Sequence, residues 1–206
     1  MLVKICGLKT VADVEAVKAA GADAMGMVMS DTSVRAIPVE QAAELVRAAA
    51  GELKTVLVVH DLSIDDAIAA AKQAGVDVLQ LHDYSEADTR KAASVSGMEV
   101  WRATSASRGS SVVGAFGEDA LLLDAHTPGS GETWDLESLD ARPEGHWILA
   151  GGLNPDNVGA AIASARPWGV DVSSGVEATR GVKDHERIHR FVAAARAASE
   201  AKDSGE

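Results

Sequence analysis

A chain of 206 residues, 47% hydrophobic and 24% charged, has the length and composition of one globular domain with a real core. Its net charge of −12 argues against nucleic-acid partners, which call for clustered Lys and Arg, and no apolar run approaches the roughly 20 residues that would span a bilayer. The single cysteine, Cys6, excludes an intramolecular disulfide, and the opening MLVKICGLKT lacks the apolar core and cleavage site of a signal peptide, so a cytoplasmic protein is expected.

The apolar runs alternate with helical patterns along the chain. Residues 2–6 read as a strand, and residues 10–20 as a helix with Thr10 as its N-cap. Gly21-Ala-Asp-Ala-Met-Gly-Met opens the second strand. Pro38 suits the first turn of a helix running to about residue 50, before a strand over 54–59. Ser63 caps a helix over 64–74, Gly75-Val-Asp-Val-Leu-Gln-Leu begins the fourth strand, and Ser85 caps a helix over 86–96. Strands follow near 98–102, after Gly117, and near 146–150; the connections near 105–117 and 134–141 carry only weak helical patterns. Asn154 with Pro155 opens a helix through about 165, Gly169-Val-Asp-Val-Ser-Ser-Gly gives the last strand, and 184–199 the last helix. The polar tail Glu200–Glu206 is expected to be disordered.

The glycines at 21, 75, 117 and 169 begin similar segments, each read as a turn from helix to strand that uses the left-handed conformation. Eight strand candidates at roughly 25-residue spacing, several apolar on both faces, predict a buried parallel sheet. The fold class is therefore α/β: a single-domain (β/α)8 TIM barrel over residues 1–199, with an open doubly wound sheet as the alternative.

The active site of such a barrel lies at the C-terminal ends of its strands. Those ends carry Cys6, the Ser33-Val34-Arg35 segment, His82-Asp83, Asp124, Gly151-Gly152 and Ser173-Ser174-Gly175. The two small-residue turns after strands 7 and 8 can aim backbone N–H groups at a phosphate, although each also reads as a mere tight turn. Cys6 is either a buried inert thiol or a base at a strand end, usable if its pKa is depressed. Asp124 closes an apolar run, so it is either a cap or a partly desolvated acid with a raised pKa. Arg35 is either solvated or a bidentate carboxylate anchor. His82 is either structural or catalytic, and no set of His, Cys and acidic residues has metal-ligand spacing: His185 and His189 share a helix face without the Glu of a zinc motif.

These residues also resemble a known family. Lys4-Ile5-Cys6-Gly7-Leu8, Gln80-Leu81-His82, Leu122-Leu123-Asp124-Ala125, the loop Gly129 to Asp135, the segment Leu149 to Val158, the segment Gly169 to Glu177, and Gly181-Val182-Lys183-Asp184 are similar, in order, to the signatures of phosphoribosylanthranilate isomerases. The resemblance implies an Amadori rearrangement of N-(5-phosphoribosyl)anthranilate to 1-(2-carboxyphenylamino)-1-deoxyribulose 5-phosphate, in tryptophan biosynthesis. It implies Asp124 as general acid, Cys6 as general base and Arg35 as carboxylate anchor. Gly152, Ser174 and Gly175 would contact phosphate, and His82, Gly151, Asp171 and Ser173 complete the substrate-binding set. No cofactor and no metal are implied, because the substrate's own iminium is the electron sink. The partner is a small-molecule substrate, and the chain is expected to be a monomer, with a homodimer as the alternative. The chain departs from the family pattern in three places: Val34 replaces a common Pro and loosens the loop of Arg35; Pro128, Trp134 and Leu136 alter the loop after strand 6; and Asp83 replaces a common Gly. Two rival readings are a related phosphosugar aminoaldose isomerase of histidine synthesis, which needs two phosphate sites, and a non-catalytic phosphate-ligand-binding barrel.

Overall fold

The computed structural model describes residues 1–105, 110–124 and 143–203. Eight parallel strands close into a barrel in sequence order: β1 (Leu2–Cys6), β2 (Ala24–Met29), β3 (Lys54–Val59), β4 (Val78–His82), β5 (Glu99–Ser105), β6 (Ala120–Asp124), β7 (Trp147–Ala150) and β8 (Gly169–Val172). The ring is shut by β1 lying beside β8, with Leu2 opposite Gly169 and Ile5 opposite Val172. The open-sheet alternative is thereby excluded. After β8 come a 3-10 turn at Ser174–Val176 and a small antiparallel hairpin, β9 (Glu177–Thr179) and β10 (Val182–Lys183), which sequence reasoning did not foresee.

Among the described residues, six helices cover the outside: α1 (Val11–Ala20), α2 (Val39–Ala49), α3 (Ile64–Ala74), α4 (Glu86–Val95), α5 (Val158–Ala165) and α6 (His185–Asp203). Local chemistry sets where they start. Thr10 Oγ1 accepts from Asp13 N while an Asp13 carboxylate oxygen accepts from Thr10 N, a reciprocal cap that satisfies two orphan donors. Ser63 and Ser85 cap α3 and α4 in the expected way. Pro38 sits one residue before α2. Asn154 and Pro155 open only a turn, and α5 proper starts at Val158, because Asn154 Oδ1 accepts from the N–H groups of Asp156 and Asn157 and holds the chain in a bend first. The last helix runs four residues beyond its expected end at 199, and 204–206 lie outside the described residues. Residues 110–117 form turns and bends rather than a helix; the weak pattern at 134–141 and the signature loop with Pro128, Trp134 and Leu136 lie outside the described residues.

Gly21, Gly75 and Gly117 adopt positive φ, as expected. Gly169 does not. It is a strand residue, and a Cβ there would stand 3.0 Å from Leu2 Cβ, so this glycine serves the closure of the ring rather than a turn.

Two apolar layers hold the fold. Ile5, Met25, Leu57, Leu79, Leu121, Leu149 and Val170 face outward and pack against helix residues such as Val14, Val17, Leu45 and Phe191. Val56, Val58, Val78, Trp101, Ala120, Leu122 and Ile148 fill the barrel interior. Side chains alternate across a strand, so the residue two steps beyond an interior apolar position also points inward, nearer the strand's C-terminal end. That alternation turns Cys6, His82 and Asp124 toward one another above the apolar plug. No described helix is long and apolar enough to cross a membrane.

Candidate active site

A cavity of ≈ 430 Å³ opens at the C-terminal ends of the strands. Its wall includes Cys6 and Asp124, Arg35 and His82, the turn residues Gly151 and Gly152, and Asp171, Ser173 and Ser174 from the end of β8. The tenth sequence candidate, Gly175, is absent from this wall. A Cβ on Gly175 would lie 1.9 Å from the Leu153 carbonyl oxygen, so its backbone is pressed against the loop after β7 and locks the two turns together.

The thiol of Cys6 is free and buried. Its neighbour across the ladder is Gly26 of β2, where a Cβ would stand 2.8 Å from Cys6 Sγ and 3.2 Å from Lys4 Nζ. Gly26 thus leaves the space that thiol and ammonium share. Lys4 is fully buried and donates to Asp171 Oδ1 at 2.7 Å. Burial opposes its charge, but Asp171 and Cys6 outweigh burial and hold Lys4 above its ordinary pKa, so it is an ammonium. Burial pushes the Cys6 thiol up, opposed by Lys4 and reinforced by Asp171. The depressed pKa that would make a free thiolate abundant is therefore not found; Lys4 and Lys183 are the groups that favour the thiolate.

Burial likewise raises Asp124, to about 6, with Asp171 adding to the rise and Lys4 opposing it. A carboxylic acid in that range donates a proton near neutral pH. His82 meets His60 edge to face, with ring centroids 5.6 Å apart. Burial lowers the His82 pKa, against the pull of Asp83 beneath it, which leaves a neutral imidazole. Asp83, at the position where glycine is common in the resembling family, adopts φ +56°, a left-handed conformation that Asp tolerates better than most residues.

The turns after β7 and β8 form the other end of the cavity. Asn157 pins the first: its Oδ1 accepts from Asn154 N at 2.8 Å and its Nδ2 donates to the Gly152 carbonyl at 2.9 Å. Buried Lys183 pins the second by donating to the Ser173 carbonyl at 2.8 Å. Both turns line the cavity and are exposed at Gly152 and Ser174, and the second lies against Lys183, a setting whose backbone N–H groups suit a phosphate.

Arg35 crosses Gly7 closely: a Cβ on Gly7, itself at φ +78°, would lie 2.7 Å from Arg35 Cδ. Its guanidinium is clamped by Glu177, Nε to Oε1 at 2.6 Å and Nη2 to Oε2 at 3.0 Å. Glu177 also accepts from Gly181 N and from Lys183 Nζ. Burial opposes the Glu177 charge, yet the hydrogen bond from Arg35, the Gly181 N–H and Lys183 outweigh it and hold the carboxyl at about 2. Glu177, at the start of the β9–β10 hairpin, is therefore the group that aims Arg35.

Sequence reasoning missed several groups. Gln80 and Arg180 line the cavity, and Lys4, Gly26, Glu177 and Lys183 support it. One signal was available: strand alternation puts Lys4 on the Cys6 face and Gln80 on the His82 face. Nothing in the sequence signalled that Glu177 would meet Arg35, 142 positions away.

Residues 3–194 match the family described as PRAI, N-(5'-phosphoribosyl)anthranilate (PRA) isomerase. A relative named N-(5'-phosphoribosyl)anthranilate isomerase, from Haloferax volcanii, is 43% identical over 217 residues, spanning 99% of this chain and 97% of its own. The crystal structure of TrpF from Jonesia denitrificans is 48% identical with a TM-score of 0.91, covering 97% of this chain and 98% of that one. The crystal structure of phosphoribosyl anthranilate isomerase from Thermotoga maritima is 32% identical with a TM-score of 0.82, covering 96% and 100%.

Proposed function

Because the chain belongs to the N-(5'-phosphoribosyl)anthranilate isomerase family, and so acts as that isomerase in tryptophan biosynthesis, we propose that Cys6 and Asp124 are the proton-transfer pair of its reaction. The observation that carries this reading is their meeting in one cavity, from β1 and β6, with a buried acid on one side and a buried thiol on the other.

The chemistry follows from these groups. Protonated Asp124 gives its proton to the ribose ring oxygen as the C1–O bond breaks, and the anthranilate nitrogen supplies the electron pair that makes a C1=N iminium. The Cys6 thiolate removes the C2 proton, and the C–H pair becomes the C1=C2 bond of an enolamine while nitrogen regains its lone pair. Protonation at C1 and loss of the C2 hydroxyl proton give the ketone. Atoms and electrons balance inside the substrate, so the step needs no external electron acceptor. The iminium's positive charge, beside Lys4, draws the thiol toward thiolate when substrate is bound.

The turns at Gly151-Gly152 and Ser173-Ser174 hold the phosphate through backbone N–H groups, and the Arg35 donors that Glu177 leaves unused hold the anthranilate carboxylate. His82 and Asp171 contact the pentose. Gly175, whose lack of a Cβ lets the turn after β8 pack against the Leu153 carbonyl, adds its backbone N–H to those that hold the phosphate. A bisphosphate substrate, as the histidine-synthesis reading requires, would need a second anion turn; apart from the turns after β7 and β8, the described wall residues offer the single cations Arg35 and Arg180 instead. A base that must stay a free thiol suits the reducing cytoplasm.

Complementation of a tryptophan auxotroph lacking this isomerase tests the function, with growth expected. Soluble protein without growth, or Cys6→Ser and Asp124→Asn variants that grow as well as the parent, would count against the reading.

A further inference from the structure

We propose that Gln80 is a substrate contact: its Oε1 accepts a hydrogen bond from a hydroxyl of the bound pentose phosphate. The inference rests on the isomerase reading above and adds a residue to it.

Gln80 lies in the middle of β4, one inward step deeper than His82, and lines the floor of the cavity. It is only 2% exposed, and its Oε1 is the one buried side-chain oxygen or nitrogen among the described residues without a hydrogen-bond partner. Its surroundings explain why. In the ladder it stands opposite Val58 and Trp101. Val58 has no donor, and the Trp101 indole N–H is already given to Glu99, at the start of β5. The Lys4 ammonium donates to Asp171 and does not reach Oε1. A buried amide oxygen left in this state is costly, and an apolar side chain would suit the Val58, Trp101 and Leu122 layer better. An unmet acceptor in a residue on the floor of a cavity is accounted for if the ligand brings the donor. The substrate's phosphate and carboxylate bring only acceptors at neutral pH, and both are met by the turns and by Arg35. The reacting carbons lie between Cys6 and Asp124, so the donors presented to the floor are pentose hydroxyls.

The test is Gln80→Met, which keeps the length of the side chain and removes the amide. Thermal unfolding, kcat/KM on N-(5-phosphoribosyl)anthranilate, and the Kd of a reduced, unreactive product analogue are measured beside wild type. Tm is expected to hold or rise, because no protein hydrogen bond is lost. Both kcat/KM and analogue affinity are expected to fall roughly ten- to hundredfold, the usual cost when a bound hydroxyl loses its buried acceptor. A lowered Tm or insoluble protein would show that the amide serves the fold, and wild-type kinetics with wild-type affinity would show that the substrate does not touch it; either result overturns the inference. Wild-type protein that neither turns over the substrate nor binds the analogue would instead overturn the reading on which it rests.

Discussion

The Nζ of Lys4 lies 2.7 Å from Oδ1 of Asp171, fully buried, on the same inward face of β1 as Cys6. This cation biases both ends of the proposed proton transfer, lowering the Cys6 thiol and the Asp124 carboxyl alike. The working form has the proton on Asp124 and none on Cys6. Since the thiol is the weaker acid, that form is a small constant fraction between the two titrations. The kcat/KM profile should therefore be a plateau with an acid limb near pH 6 and an alkaline limb above the ordinary thiol range. In Lys4→Met both limbs should move to higher pH, with a lower plateau. Initial rates from pH 5 to 10 check this, and limbs that stay in place in the variant would remove Lys4 from the mechanism.

Asp124→Asn should separate activity from stability. The folded carboxyl titrates at about 6 against an ordinary 3.8, so its contribution to stability is lost as pH rises through that window and is unfavourable at neutral pH. The amide keeps the shape and removes the charge. At pH 7 the variant should be more stable by on the order of 1–3 kcal/mol in urea unfolding. Its turnover should fall by at least roughly a hundredfold, as for other lost general acids. A destabilised variant would mean that Asp124 has partners worth more than its desolvation costs.

Arg35→Ala should act mainly on KM. Two of the guanidinium's donors are spent on Glu177, which fixes the plane in which the rest meet a carboxylate. Loss of the side chain should raise KM about ten- to a hundredfold with little change in kcat. Arg35→Lys should recover little, because an ammonium cannot satisfy Glu177 and a substrate carboxylate in one plane. Steady-state kinetics decide it: a kcat loss at unchanged KM would assign Arg35 to the chemical step.

Gly26→Ala probes the space shared by thiol and ammonium. The added methyl would stand 2.8 Å from Sγ and 3.2 Å from Lys4 Nζ in a fully walled strand position, so the thiol or the strand must shift. Overpacking of this kind costs about 1–3 kcal/mol of stability. A misplaced base should also lower kcat by at least about tenfold, since proton transfer needs hydrogen-bond reach. The rate of Cys6 alkylation gives a second readout. A variant with wild-type kcat and alkylation rate would show that the wall yields without moving the thiol.

The barrel was legible because its causes are local. Thr10, Ser63 and Ser85 announce helix starts through their own hydroxyls, and Gly21 and Gly75 announce the turns into strands. Cys6, His82 and Asp124 were legible as site candidates because strand ends are where such a barrel places its chemistry. Errors arose where long-range packing set the local form. Gly169 reads as one more turn glycine, yet its backbone approach to Leu2, almost a full chain away, decides its role. Gly175 reads as a phosphate contact, and the sequence does not show that its missing Cβ also makes room for the Leu153 carbonyl. Arg35 was placed correctly in the cavity, whereas the Glu177 clamp that aims it belongs to a hairpin with no periodic signal, two and three residues per strand. The state of Cys6 was likewise beyond sequence reading, because burial and the Lys4 charge oppose each other and only coordinates show which prevails.

Glu177 should make the protein acid-sensitive in a definite direction. Its folded carboxyl sits at about 2 against an ordinary 4.5, so it contributes stability that is complete above pH 4.5 and is lost as pH falls toward 2. Glu177→Gln removes the charge that joins Arg35, Gly181 and Lys183. The variant should be less stable than wild type at pH 7 by on the order of 1–3 kcal/mol, and the gap should narrow steadily between pH 4.5 and 3. Other carboxylates titrate in the same range, so the readout is the difference between the two proteins in urea unfolding at each pH, not either curve alone. A gap that stays constant through that window would mean that Glu177 works by shape and not by charge, and the electrostatic account of how Arg35 is held would have to be replaced.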